Sequence, residues 1–237
     1  RTLPMLKLFT WPTQNARKIS IMLEECNFEY EIHAINIEQE EQHQASFKAL
    51  NPNGKIPVLL DTELTDDLGN VEAIFETGAI LVYLAEKSGQ FLSHDPALRI
   101  RTLKWLFWQT SGLGPNLGNF SHYASALAKD EKQLNGFLAK TRAKDPNMQA
   151  IERFRQESMR LLTVLNNVLK DNDYIAGELS IADFACYSWI ESTWQGLQVF
   201  DPQLPVKLKN IQDWKTRLAQ RPGVKLGMEK LAWGVEI

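Results

Sequence analysis

Two short segments of this 237-residue chain hold the residue types that recognise a small charged peptide. In the first, Asn53-Gly54-Lys55-Ile56-Pro57, an isoleucine–proline pair opens the apolar run Val58-Leu59-Leu60. Proline has no N–H for a sheet ladder, so the pair belongs at a strand start or an edge. X-Pro is also the common place for a cis peptide, which would turn the N–H and C=O of Ile56 outward. A peptide backbone can pair with such a residue as if it were one more strand. In the second segment, Glu76-Thr77-Gly78 closes a further strand and opens a helix. An acid and a hydroxyl beside the free N–H groups of a helix start suit a ligand bearing both an ammonium and a carboxylate. Together the segments describe a site for a small, zwitterionic, extended peptide.

The elements that must position these segments alternate in type. Residues 6–9 read as a strand, and Ile19, Met22, Leu23 and Cys26 share one face of a helix. Residues 28–37, rich in aromatic and β-branched types, give a second strand. Phe47 and Leu50 fit a short irregular helix ahead of the turn cluster Asn51-Pro52-Asn53-Gly54. The strand from Ile56 follows, then an acidic hairpin loop over 61–70, a returning strand over 71–75 and a helix over 77–88 stopped by Gly89. The order βαβ, α, ββα is a small α/β layer with a parallel unit followed by a hairpin. Beyond Gly89 the strand signals largely vanish. Pro96 suits the first turn of a long helix carrying Leu103, Leu106 and Phe107, which Gly112-Leu113-Gly114-Pro115 bends or interrupts. A second long helix covers 148–170, with Ile151, Phe154, Leu161 and Leu165 at helical spacing. Ser180 and Asp183 read as N-cap and N3 of a capping box, a structural role for the acid. Ile211, Trp214 and Leu218 form a third stripe, ended by Arg221-Pro222-Gly223. The sequence therefore predicts an α/β domain over 1–90 and an all-helical domain over 96–237.

Composition excludes several functions. With 44% hydrophobic and 23% charged residues the chain is ordinary for a globular protein. A formal charge of −3 and a pI near 5.9 leave no basic footprint for nucleic acid or an anionic membrane. The longest apolar run, 79–85 with Tyr83 inside it, is far too short to span a bilayer. No charged stretch followed by an apolar one opens the chain, and residues 1–4, ahead of the first methionine, read as a processing remnant. Cys26 and Cys186 lie far apart in separate helical patterns and read as core residues, not as a disulfide framework. His33, His43, His94 and His122 have no metal-ligand spacing, so no metal site is expected. A cytoplasmic, reducing compartment is the simplest reading.

The N-G-K-I-P-V-L run at 53–59 and the F-E-T-G-A-I run at 75–80 resemble the two glutathione-binding segments of the glutathione transferases, with Thr77 where that family usually has serine. The stretch W-L-F-W-Q-T-S-G-L-G-P-N-L-G at 105–118 is similar to the start of the helical domain in the nu class, the branch related to yeast nitrogen-regulator prion proteins. The resemblance covers nearly the whole chain. It implies a thioredoxin-like domain followed by an all-helical glutathione transferase domain, assembled as a homodimer.

The resemblance also directs attention to the turn Thr10-Trp11-Pro12-Thr13-Gln14-Asn15, where the family keeps the group that activates the glutathione thiol. A thiol of unperturbed pKa near ~8.5 is only a few per cent ionised at neutral pH, and donors at a helix N-terminus raise that fraction. The turn contains neither Tyr nor Cys, and Thr13-Gln14-Asn15 matches the T-x-N pattern of the nu class. Thr13 and Asn15 are therefore the thiol-stabilising pair that the resemblance implies, although the local pattern alone favours Thr13 as a helix cap and Asn15 as a solvated side chain. Without a protein thiol in the turn, redox chemistry falls to the thiol of bound glutathione. The implied activity is disulfide-bond reduction, with hydroperoxide reduction and weaker conjugation to electrophiles beside it, at a site admitting two glutathione molecules or the oxidised dimer. By the same resemblance, Glu76 and Thr77 hold the γ-glutamyl ammonium and carboxylate. Ile56 pairs with the cysteinyl unit, and Lys55, Asn53 and Gln42 meet the glycyl carboxylate. Trp108, Phe120 and Tyr123 wall a second-substrate pocket for a small disulfide, peroxide or electrophile. Two other readings stay open: a conjugating or dehalogenating transferase, and a non-catalytic partner-binding protein of the same fold.

Overall fold

The computed structural model describes residues 5–128 and 145–232; residues 1–4, read as a processing remnant, lie outside them, as does the end of the expected helical domain. The chain divides into two compact units, one built from the described residues up to 90 together with 221–232, the other from those in 91–220.

The first unit is built on a four-stranded sheet of order β2-β1-β3-β4. Strand β1 (Leu6–Thr10) alternates Leu6, Leu8 and Thr10 into the core. Helix α1 (Gln14–Glu25) then returns the chain to β2 (Tyr30–Ala34), which runs parallel to β1 with Leu8 opposite Ile32. After a short helix α2 (Ala45–Lys48), β3 (Val58–Thr65) pairs antiparallel with β1 and with β4 (Val71–Ile74). Helix α3 (Thr77–Ser88) ends at Gly89, whose φ of 68° is the left-handed conformation that lets glycine close a helix.

Three sequence expectations shift here. Strand β2 is shorter than 28–37, because the Asn36 side chain accepts the N–H groups of Glu38 and Gln39 and starts a 3₁₀ turn instead. Strand β3 runs to Thr65, five residues into the expected loop. Asp61, read as a loop acid, is buried and accepts the Tyr83 hydroxyl at 2.6 Å and the Glu63 N–H at 3.0 Å. Cys26 is not on the apolar face of α1 but at its C-cap, half-buried, where burial pushes its thiol pKa up; Cys186 is fully buried as expected.

The first compact unit also takes in a helix from beyond residue 220. The helix carrying Ile211, Trp214 and Leu218 stops at Ala219, ahead of Arg221-Pro222-Gly223 as expected, but Pro222 then opens another helix, α10 (Pro222–Lys230), which packs on α1 in the first unit. Two glycines make the approach possible. A Cβ on Gly227 would lie 2.5 Å from the backbone of Ile21, and one on Gly223 would lie 2.8 Å from that of Glu25. Ser20 Oγ donates to the Gly227 carbonyl at 2.7 Å, Arg17 Nε to the Leu231 carbonyl at 3.0 Å, and the Arg221 guanidinium grips the Glu25 carboxylate. Covered on both sides, α1 buries Arg17, Lys18 and Ser20 as well as its apolar residues.

The second unit is helical among its described residues. Helix α4 (Pro96–Trp108), capped by Asp95, passes through a π-helical turn (Gln109–Leu113) into α5 (Gly114–Ala124), the interruption that the glycines and proline predict. Helices α6 (Met148–Val168), α7 (Ile181–Phe200), α8 (Leu204–Lys207) and α9 (Lys209–Ala219) complete it. Asp183, fully buried, forms the capping box with Ser180 and also accepts the Ile175 N–H at 3.0 Å and the Trp214 indole N–H at 2.9 Å, so one carboxylate ties three segments together. Among the described residues no helix is long and apolar enough to cross a membrane.

Candidate active site

Three stretches of the first unit carry the candidate residues. The β1–α1 turn comes first. Thr13 has extended backbone (φ −145°, ψ 164°), and its Oγ1 accepts the Ala16 N–H at 3.2 Å, making it the N-cap of α1. That acceptance leaves the hydroxyl proton for an acceptor outside the helix, because a hydroxyl has one donor and two acceptor positions. Asn15 is half-buried in the first helical turn. Beside them, Thr10 Oγ1 and the Trp11 indole N–H are buried without a hydrogen-bond partner among the described residues.

The second stretch is the loop before β3. Asn51 organises it: its Nδ2 donates to the Lys55 carbonyl at 2.7 Å and its Oδ1 accepts the Asn53 N–H at 3.0 Å. Its backbone carbonyl accepts the Gly54 N–H at 2.9 Å. The Ile56–Pro57 bond is cis, and Gly54 has a φ of 63°. A Cβ on Gly54 would lie 3.2 Å from the Gln42 carbonyl, so the loop sits directly against the Gln42-His43 turn. This brings the Gln42 backbone against Gly54, a proximity that the register of the polar run at 38–44 did not disclose. Asn53 and Lys55 are exposed, Ile56 and Gln42 half-buried.

The third stretch is the start of α3. Glu76, exposed, has a φ of 68°, a left-handed conformation uncommon for a residue with a side chain. Such outliers persist where the surroundings dictate them and cluster at ligand sites. Thr77 follows at the first helical position, and its Oγ1 accepts the Lys18 ammonium at 3.1 Å. The N–H groups of this first turn have no intrahelical acceptor and present partial positive charge.

Sequence reasoning missed Asn51 and Lys18. Asn51 was visible only as a turn former. Lys18 stands one turn before the apolar Ile21 and Met22, and that company was the available signal.

The aromatic candidates lie in the second unit. Trp108 is half-buried, edge-on to Trp105 at 5.1 Å, and Tyr123 is half-buried, stacked on Phe154 at 5.7 Å. Phe120 is different: it is 1% exposed and packs edge-on against Phe200 at 5.3 Å, so it belongs to the helical core and not to a pocket wall. Among the described residues no cluster of three His, Cys, Asp or Glu has the arrangement to hold a metal ion.

A thioredoxin-like sheet unit with a cis-proline loop, joined in one chain to a helical unit, defines a glutathione transferase-type protein. The family model for the glutathione S-transferase N-terminal domain matches residues 4–86 and that for the C-terminal domain residues 129–222, so the chain belongs to the glutathione S-transferase family. It is 36% identical over 233 residues to the disulfide-bond oxidoreductase YfcG of Escherichia coli, covering 98% of each chain. Among solved structures it is similar to a glutathione transferase from Pseudomonas putida with one glutathione disulfide bound per subunit (35% identity, TM-score 0.80, 95% of this chain and 91% of that one). It is also similar to one from Burkholderia graminis with two glutathione molecules bound per subunit (32% identity, TM-score 0.81, 95% and 88%).

Proposed function

We propose that this protein is a glutathione-dependent disulfide-bond reductase in which the thiol of bound glutathione, not a protein cysteine, carries the chemistry. The observation that carries this reading is the β1–α1 turn, which offers a helix N-terminus and a hydroxyl with its proton to spare but no thiol. Thr13 and Asn15 donate to the glutathione sulfur and favour its thiolate. The thiolate attacks one sulfur of a disulfide; the new mixed disulfide forms as the other sulfur leaves as a thiolate and takes up a proton. A second glutathione thiolate then attacks the mixed disulfide, releasing the second thiol and forming oxidised glutathione. Two glutathione molecules are thereby oxidised for each disulfide reduced.

Within this reading Glu76 meets the γ-glutamyl ammonium and Thr77 with the first-turn N–H groups of α3 meets its carboxylate. Ile56 pairs with the cysteinyl backbone, while Lys55, Asn53 and Gln42 meet the glycyl end; their convergence around Asn51 and Gly54 supports that grouping. Trp108 and Tyr123, half-buried, are the aromatic residues left for a second-substrate pocket. The W-L-F-W-Q run at 105–109 supports nu-class membership, and with it a homodimer. Two cysteines kept out of any disulfide support a cytoplasmic setting.

The test is turnover of 2-hydroxyethyl disulfide with glutathione, set beside conjugation of a chlorodinitrobenzene. Disulfide reduction that outpaces conjugation is expected. The reverse ratio would make the protein a conjugating transferase.

A further inference from the structure

We infer that Lys18 is a positioning residue for the ligand's γ-glutamyl carboxylate, acting through the Thr77 hydroxyl. This rests on the reading of Thr77 given above and adds the group that makes it a donor. Lys18 lies five residues past the Thr13 cap on α1, is only 1% exposed, and its Nζ donates to Thr77 Oγ1 at 3.1 Å. An ammonium has donors and no acceptor, so Thr77 must accept at this contact. Its own proton is thereby turned to a different acceptor. An anion at the start of α3 is the acceptor that the free N–H groups and the dipole of that helix also favour.

The ammonium adds a full positive charge on the protein side of the same hydroxyl, and burial keeps solvent from screening it. Hydrogen bonds that involve a charged group are the stronger ones, so a threonine backed by a buried cation is a better carboxylate donor than a threonine alone. The same helix thus carries the proposed thiol donor at its first turn and, one turn later, the residue that sets the carboxylate donor. Lys18→Met would leave Thr77 free to spend its proton elsewhere, while filling nearly the same volume.

The experiment compares binding of two peptides by the full-length protein in a calorimeter: glutathione, and 4-aminobutyryl-cysteinyl-glycine, which keeps the ammonium and thiol but lacks the γ-glutamyl carboxylate. The wild-type protein is expected to prefer glutathione by about tenfold or more, the worth of an oriented charged hydrogen bond. K18M should lose most of that preference by weakening glutathione while leaving the analogue's affinity unchanged. T77V should do the same with Lys18 intact, and T77S should keep the preference. Discrimination retained in K18M or in T77V would overturn the proposal, as would a K18M protein that binds both peptides equally poorly, the mark of a merely structural lysine. The Thr77 pair carries the test even if K18M does not fold. A wild-type protein with no preference would overturn the Thr77 reading itself, a failure distinct from that of Lys18.

Discussion

The Thr13 hydroxyl accepts the Ala16 N–H at 3.2 Å, so a single side chain caps α1 and still holds a proton for a ligand. Capping and thiol stabilisation, which the sequence presents as alternatives, are compatible in this geometry. They separate by substitution. Thr13→Ala removes both and should lower stability by about 1 kcal/mol. Disulfide turnover should fall by roughly tenfold or more, the effect of one unit in thiol pKa. Thr13→Asp restores a good cap but puts a negative charge beside the sulfur, which raises the thiol pKa further. Unfolding midpoints near wild type with turnover below that of T13A is the expected pair of results. If T13D recovers activity along with stability, Thr13 is a cap only.

The α1–α10 contact yields a stability prediction with an internal control. Gly227→Ala would drive a methyl group to within 2.5 Å of the Ile21 backbone and should destabilise by about 2 kcal/mol or more, since the neighbour is main chain and cannot rotate away. Gly196→Ala in α7 meets nothing within 4 Å and should stabilise slightly, by roughly 0.5–1 kcal/mol. Urea unfolding of the two variants decides the matter, and equal effects would contradict the close packing.

How much of this was legible in the sequence depended on whether a residue's role was local. The loop at 53–57 and the start of α3 announce themselves because proline, glycine and a helix-opening hydroxyl constrain their own backbone. The capping box of Ser180 and Asp183 was readable for the same reason. What escaped was set by partners distant in sequence. Arg221-Pro222-Gly223 looks like a stop, yet Pro222 begins a helix, and Gly223 and Gly227 are there for the backbone of α1, about two hundred residues earlier. Asp61 reads as a loop acid until Tyr83 and Lys87 arrive to pair with it. Phe120 looks like a pocket aromatic until Phe200 covers it.

Asp183 gives a pH dependence whose sign is fixed. Complete burial pushes its carboxyl up to about 6, against the pull of donors from Ile175, Trp214 and Ser180. A carboxyl with a folded pKa above its unfolded value near ~3.9 stabilises the fold most when protonated. Its contribution is therefore full below about pH 4 and is lost as pH rises through about 6. In Asp183→Asn this proton linkage is absent. The stability difference between wild type and D183N should shrink from pH 4 to pH 7.5 in thermal unfolding, and a difference constant with pH would contradict the buried-carboxyl account.

The central claim is that no protein thiol takes part in the chemistry. The most direct measurement is glutathione-dependent turnover of 2-hydroxyethyl disulfide by the Cys26→Ser, Cys186→Ala double variant, which removes both cysteines of the chain. Cys26 sits at the end of α1 away from the Thr13 turn and Cys186 is buried within α7, so the account predicts turnover at the wild-type rate, scaled only by the fraction folded. Loss of turnover in a folded double variant that still binds glutathione would contradict it.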